Sequence, residues 1–197
     1  MLKDTLINKE YEARAMISEA QYIDIYNHFS SLKRRKFYLD NTNIYFDTPK
    51  HDIINSGMVL RLRNINNKEC ELTLKIKDVD FDKEINLQIS KSHYDSLLRD
   101  FKLSKGEIKE ELIKRNIDIE SIKKITTLTT HRLEVFFTKY ILVIDKNFYS
   151  NIVDYNVEVE SISRESAKKH LESKLAPFGV TYKKGYISKS RRALMNL

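Results

Sequence analysis

Tryptophan is absent from the 197 residues, cysteine occurs once, proline twice and glycine four times. The single thiol, Cys70, excludes an internal disulfide and a cysteine zinc cluster, and it suits a reducing compartment. So little glycine and proline excludes collagen-like or linker-like stretches, and neither a Gly-rich phosphate loop nor a nucleophile elbow occurs. No apolar run approaches the ~20 residues that a membrane-spanning helix needs. The N-terminal residues carry charges where a secretory leader requires an apolar stretch, so a soluble cytoplasmic protein without a membrane partner is expected. The five histidines (His28, His51, His93, His131 and His170) are scattered, with no i, i+4 pair of the metalloprotease kind.

What is abundant is charge and period-two alternation. Charged residues make up 32% of the chain and apolar ones 41%, enough for a globular core. The formal charge of +7 points to anionic partners without choosing among them. Strict alternation of apolar and polar residues runs through Leu60–Arg63, Glu71–Lys77, Glu84–Ile89 and Asn156–Glu160, the mark of strands with one apolar face. Further strands are expected near 7–17, 34–47, 125–138, 140–149 and 181–192.

Helices are expected between strands. Ser18 with Gln21 forms a capping box opening a helix to about Leu32, and Thr48-Pro49 starts a short helix that Gly57 ends. Two more helices are expected near 91–103 and 105–115, and Ser163 caps another to about Leu175. No linker or shift in composition divides the chain, so residues 1–197 read as one domain. The pattern predicts an α+β protein, a barrel or a sandwich.

The polar strand faces carry like charges at i and i+2. Acidic pairs are Glu10/Glu12 and Glu158/Glu160; basic pairs are Arg61/Arg63, Lys75/Lys77 and Lys189/Arg191. Any one such pair is ordinary on a solvated strand; five on separate strands are not. Neighbouring carboxylates suit a hard divalent cation such as Mg²⁺ or Mn²⁺, and clustered Arg and Lys suit a dense anion such as a polyphosphate. If these faces line one interior, metal and polyphosphate share it. Tyr and Phe fall mostly at apolar-face positions, so core packing explains them better than base stacking, and a nucleic-acid partner is disfavoured. The best external basic run, Lys33-Arg34-Arg35-Lys36, reads as a solvated helix-to-strand turn.

Glu10-Tyr-Glu12-Ala-Arg14 resembles the Glu-x-Glu-x-Lys signature of the CYTH superfamily, the triphosphate tunnel metalloenzymes. The similarity continues through Tyr45-Phe-Asp-Thr-Pro49, Gly57–Arg63, Leu72–Lys77, Glu84–Asn86, Thr130–Arg132, Leu142–Asp145, Asp154–Glu160 and Lys189–Arg191, in family order along nearly the whole chain. It is greatest to the small bacterial YjbK-like branch. The signature lysine is Arg14 here, which keeps the charge but cannot give up a proton at neutral pH.

The resemblance implies a closed eight-stranded antiparallel β-barrel, a tunnel with helices packed outside. It implies Glu10, Glu12, Glu158 and Glu160 as metal ligands. Arg14, Arg61, Arg63, Lys75, Lys77, Arg132, Lys189 and Arg191 would contact phosphate oxygens, and Glu84 and Asp145 would orient basic residues or an attacking water. With Glu10, Glu12 and Arg14, these two make up the catalytic set. The activity implied is Mg²⁺- or Mn²⁺-dependent hydrolysis of a terminal phosphate from tripolyphosphate or a nucleoside triphosphate. Two alternatives stand beside it: a non-catalytic polyphosphate- or nucleotide-binding regulatory module, for which Arg14 argues, and an adenylyl cyclase of the class IV type. The oligomeric state is not readable from the sequence.

Overall fold

The computed structural model describes residues 5–77, 81–183, 185 and 187–195, the side chains of residues 5–8 and 10 excepted. Nine strands form one sheet, every pair antiparallel: β1 (Thr5–Glu10), β2 (Glu12–Ile17), β3 (Lys36–Asp47), β4 (Met58–Ile65), β5 (Glu69–Ile76), β6 (Asp82–Ile89), β7 (Lys123–Phe136), β8 (Tyr140–Tyr149) and β9 (Ile152–Ser161). Six α-helices join them: α1 (Glu19–Ser31), α2 (Asp52–Asn55), α3 (Lys91–Arg99), α4 (Glu107–Lys114), α5 (Arg164–Leu175) and α6 (Lys189–Leu194). No helix among the described residues is long and apolar enough to cross a membrane.

The pairing order is β1-β6-β5-β4-β3-β7-β8-β9-β2. The expected closed ladder of eight strands is therefore not what the hydrogen bonds draw. The two end strands are successive pieces of one stretch, parted by Tyr11 alone, and cannot pair with each other. The first piece runs along β6, from Thr5 opposite Leu87 to Glu10 opposite Asp82. The second runs along β9, from Glu12 opposite Glu160 to Ile17 opposite Tyr155. The two edges of the sheet are thus joined through the chain at Tyr11 instead of by a ladder.

One face of this sheet is apolar and carries α1 to α5. Leu60, Leu62, Leu72, Leu74 and Ile85 pack with Ile53 of α2, Tyr94 and Leu97 of α3, and Ile108 and Leu112 of α4. A second core joins Ala13, Ala15, Leu133, Leu142, Ile144, Val157 and Val159 to Ile25 and Phe29 of α1 and Ala167 and Leu171 of α5. Each fully buried Leu or Ile contributes about 1.5–3 kcal/mol, so alternation alone forces the opposite residues to the other face. The segment 91–122 covers the first core.

Local signals act as the side chains dictate. Ser18 and Gln21 form the reciprocal capping box of α1, and Ser163 caps α5. The short helix after β3 starts later than expected, at Asp52, because Asp47 supplies the cap: its carboxylate accepts from the amides of Thr48, Ile53 and Ile54. Asn66 and Asn67 both take left-handed φ (52° and 55°) in the β4–β5 hairpin, as a tight turn there demands. That turn fixes the register setting Arg61 opposite Thr73 and Arg63 opposite Glu71.

The strand expected at 181–192 is not formed. Residues 181–183 have no regular structure, and Ser188 accepts from the Arg191 amide as the N-cap of α6. This helix lies on the polar face of the sheet, where Ala193 packs with Tyr45, Leu128 and Tyr149.

Candidate anion and metal site

The polar face bounds a cavity of about 450 Å³. Its walls carry Glu12 and Arg14 from β2, Arg61 and Arg63 from β4, Thr73 and Lys75 from β5, Asp82 and Glu84 from β6, Arg132 from β7, Glu158 and Glu160 from β9, and Lys189 from α6. Residues directly opposite in an antiparallel pair share a face, and here the register sets base against acid. Arg14 faces Glu158, Arg63 faces Glu71, Lys75 faces Glu84, and Arg132 faces Asp145. Repulsion among the basic strand residues is thus relieved across the ladder at Arg14, Arg63, Lys75 and Arg132. Two positions differ, with acid set against acid: Glu12 faces Glu160, and Glu10 stands opposite Asp82 in the register.

Two ion clusters result. In the first, the Arg14 guanidinium bridges two acids, donating from Nε to Glu158 Oε1 and from Nη2 to Glu12 Oε1 at 2.7 Å. Arg132 donates to both oxygens of Asp145, at 2.9 and 3.1 Å, and to Glu158 Oε2 at 3.3 Å. Lys189 donates to Asp145 and, at 3.2 Å, to Glu158 Oε2. In the second, Glu71 Oε1 lies 3.4 Å from Arg61 Nη2 and 3.1 Å from Arg63 Nη1. Arg63 also donates to Asn43 at 2.8 Å, and Lys75 lies 3.3 Å from Glu84 and 3.6 Å from Asp82. The buried Nε of Arg61 has no acceptor, an orphaned donor in the wall of an otherwise satisfied site.

Burial alone would raise the acids of these clusters, yet their cationic partners win. Glu84 is held down at about 2 by Arg61, Lys75 and Arg63. Asp145 is depressed by Arg132 and Lys189, and Glu158 by Arg14, Lys189 and Arg132. Among the bases, burial and the neighbouring Arg61 bring Arg63 down to about 10 despite Glu71. Burial and Arg132 lower Lys189. Arg14 moves the other way: burial lowers it, but Glu158 and Glu12 together raise it above the ordinary value.

Glu12, Glu158 and Glu160 are hard oxygen donors of the kind Mg²⁺ and Mn²⁺ take, and the facing of Glu12 and Glu160 favours a cation between them. The donors fit in kind. As the side chains stand, no three acidic, histidine or cysteine residues among those described converge on one point, since Arg14 occupies the space between Glu12 and Glu158.

Of the residues singled out from sequence, Glu12, Arg14, Arg61, Arg63, Lys75, Glu84, Arg132, Glu158, Glu160 and Lys189 line the cavity, and Asp145 stands directly behind, fully buried. Glu10 ends β1; its side chain lies outside the described residues. Lys77 and Arg191 reach only the cavity edge and are exposed. For Arg191 the reason is the missing strand: Lys189 and Arg191 would share a strand face, whereas on a helix positions 189 and 192 do. Arg192, which is not among the residues lining the cavity, is the less exposed of the two and donates to both oxygens of Asp154 at 2.7 and 3.0 Å. Sequence reading missed Arg192. It also missed Glu71, Asp82 and Asp154, which strand parity with Lys75, Glu84 and Glu158 could have flagged. No histidine lines the cavity.

Comparison with known proteins shows the family. The family model for the CYTH domain matches residues 8–187. YjbK of Bacillus subtilis (strain 168), whose name proposes a triphosphatase, is 31% identical over 173 residues, 87% of each chain. A Bacillus halodurans protein described as a proposed adenylate cyclase superposes with TM-score 0.85, at 24% identity, covering 94% of this chain and 97% of its own. HpAC1 of Hippeastrum, a proposed adenylyl cyclase described as revealing a dominant triphosphatase activity, superposes with TM-score 0.78 at 21% identity over 95% and 96%. An antiparallel sheet with a charged interior face, a near full-length family match and a relative above 30% identity lead to one conclusion: the chain belongs to the CYTH domain family and stands with its YjbK-like members.

Proposed function

We propose that the protein is a divalent-metal-dependent triphosphatase, releasing the terminal phosphate of inorganic tripolyphosphate or of a nucleoside triphosphate. One observation carries this reading: six basic side chains (Arg14, Arg61, Arg63, Lys75, Arg132 and Lys189) from five separate elements converge on one cavity that also holds carboxylates. The arginines offer planar forks that fit phosphate oxygens, and the lysines offer point charges. Glu12, Glu158 and Glu160, with Glu10 on the strand before Glu12, are the groups that would hold Mg²⁺ or Mn²⁺. Such an ion, when bound, neutralises phosphate oxygens and acidifies a coordinated water. Glu84 and Asp145, held below the ordinary carboxylate range by the neighbouring bases, would orient Lys75, Arg132 and Lys189 or the attacking water. Catalysis is then positioning and charge stabilisation, with no covalent intermediate.

The test is phosphate release from tripolyphosphate, ATP, GTP and pyrophosphate with Mg²⁺, Mn²⁺ or EDTA. Metal-dependent orthophosphate release from a triphosphate is expected. Pyrophosphate with cyclic AMP would make the protein a cyclase instead. Against that outcome, the aromatic side chain that lines the cavity among the described residues is Tyr45, buried beside Arg61 and Arg63 and offering no stacking platform for a base. Metal-dependent binding without turnover would mark a sensor.

A further inference from the structure

Arg14 occupies a position that the proposed chemistry reserves for something else. It is half-buried on β2, and its guanidinium spans Glu12 and Glu158, two of the three described carboxylates proposed to hold the metal. Every oxygen of Glu158 is already engaged, Oε1 by Arg14 and Oε2 by Arg132 and Lys189. A cation cannot enter between Glu12 and Glu158 while Arg14 remains.

We propose that Arg14 is a resident stand-in for the divalent cation, held by Glu12 and Glu158 until a polyphosphate draws it away. A displaced guanidinium left unpaired in a buried cavity is strongly unfavourable, so metal alone gains little by evicting it. A polyphosphate supplies the acceptor that Arg14 then needs, and the freed carboxylates supply the site that the metal needs. Each event removes the obstacle to the other, so metal and polyphosphate bind with positive coupling, and the coupling is reciprocal. A lysine at this position makes a weaker bridge, because an ammonium is a single point of charge where the planar fork of Arg14 reaches Glu12 through Nη2 and Glu158 through Nε. The arginine therefore strengthens the lock. This inference rests on the reading of Glu12 and Glu158 as metal ligands.

The experiment measures Mn²⁺ bound to the full-length protein with no phosphate present, from the loss of the free-ion electron paramagnetic resonance signal. Wild type, Arg14→Gln and Arg14→Lys are compared, each checked for folding by circular dichroism. Arg14→Gln is expected to bind Mn²⁺ at least about tenfold more tightly than wild type, with Arg14→Lys between them. The gain should vanish in Arg14→Gln combined with Glu12→Gln. Equal affinities for wild type and Arg14→Gln, or no binding by either, overturns the exchange. If Arg14→Gln fails to fold, the wild type against Arg14→Lys comparison decides alone, equal affinities again overturning it. Turnover of tripolyphosphate by the wild type is scored separately. Turnover with equal Mn²⁺ affinities sinks only the exchange, whereas tighter binding in Arg14→Gln without wild-type turnover sinks only the triphosphatase reading.

Discussion

Replacing Asp145 with asparagine tests whether the cavity charges hold one another in place. Asp145 is fully buried and accepts from Arg132 at 2.9 and 3.1 Å, from Lys189, and from Asn156 Nδ2 at 3.2 Å. Asparagine keeps the shape, retains one acceptor and turns an N–H₂ toward donors. Removing one partner of a buried ion pair costs about 3–5 kcal/mol. The lower end applies, because Arg132 and Lys189 keep Glu158 at 3.3 and 3.2 Å. A loss of ~3 kcal/mol lowers the melting temperature of a domain this size by roughly 6–12 °C. Calorimetry at pH 7 reads it directly. The pH dependence has a definite sign: the folded pKa of Asp145 is depressed, so its stabilisation is present above the ordinary carboxylate value near ~3.9 and is lost as pH falls through the lower folded value. The gap between wild type and variant should therefore hold from neutrality to about pH 4 and narrow below it. Saturating tripolyphosphate should also shrink the gap, since it offers the two bases another anion. An unchanged or raised melting temperature at pH 7 would refute the reasoning, and would mean that this buried ion cluster returns less than its desolvation takes.

Further outcomes follow from the same contacts. Glu12→Gln should leave the melting temperature within a few degrees, because Arg14 keeps Glu158, while metal-dependent phosphate release falls by about 10²-fold or more; unchanged turnover sinks the ligand assignment. Lys75→Ala should weaken tripolyphosphate binding far more than Lys77→Ala, since Lys75 faces Glu84 inside the cavity and Lys77 is exposed at its edge; isothermal titration of both variants decides. Arg192→Ala should destabilise by about 2–3 kcal/mol through the loss of charged hydrogen bonds to Asp154, with KM for triphosphate little changed. Leu171→Ala, at a fully buried position of α5, should cost about 2–5 kcal/mol by urea titration without altering substrate preference.

Much of this was legible in the sequence because two periodicities were clean. Alternation at Leu60–Arg63 and Glu71–Lys77 placed both faces of β4 and β5, and Ser18 with Gln21 placed the start of α1. What failed did so for identifiable reasons. Ser188-Lys-Ser-Arg191 alternates by chance over four residues and reads as a strand end; only the Ser188 cap, followed by helix-forming Arg192, Ala193 and Leu194, signals α6. The split of the N-terminal strand at Tyr11 cannot be read locally, since it arises from which distant strands, β6 and β9, each half pairs with. Cross-strand neutralisation was equally hidden. The sequence displays i, i+2 neighbours, while Arg63 opposite Glu71 and Arg14 opposite Glu158 are matters of register.

Register also changes what the net charge means. Eight basic residues line or edge the cavity (Arg14, Arg61, Arg63, Lys75, Lys77, Arg132, Lys189 and Arg191) against five acidic ones (Glu12, Asp82, Glu84, Glu158 and Glu160). Glu71 and Asp145 stand in contact with these bases, which leaves one positive charge in excess among the described residues. Most of the formal charge of +7 therefore belongs elsewhere on the chain and does not identify the ligand. On the proposed reading, a polyphosphate would be selected by the placement of forks and point charges within ~450 Å³, where Arg14, Arg63, Lys75, Arg132 and Lys189 now pair with protein acids that phosphate oxygens would replace. Surface charge is screened within about a Debye length, whereas these exchanges occur in contact. Affinity for tripolyphosphate should then respond more strongly to divalent metal than to the same change in ionic strength made with a monovalent salt. A binding series in KCl with and without Mg²⁺ separates the two, and a salt dependence that outweighs the metal dependence would move the binding site from the cavity to the outer surface.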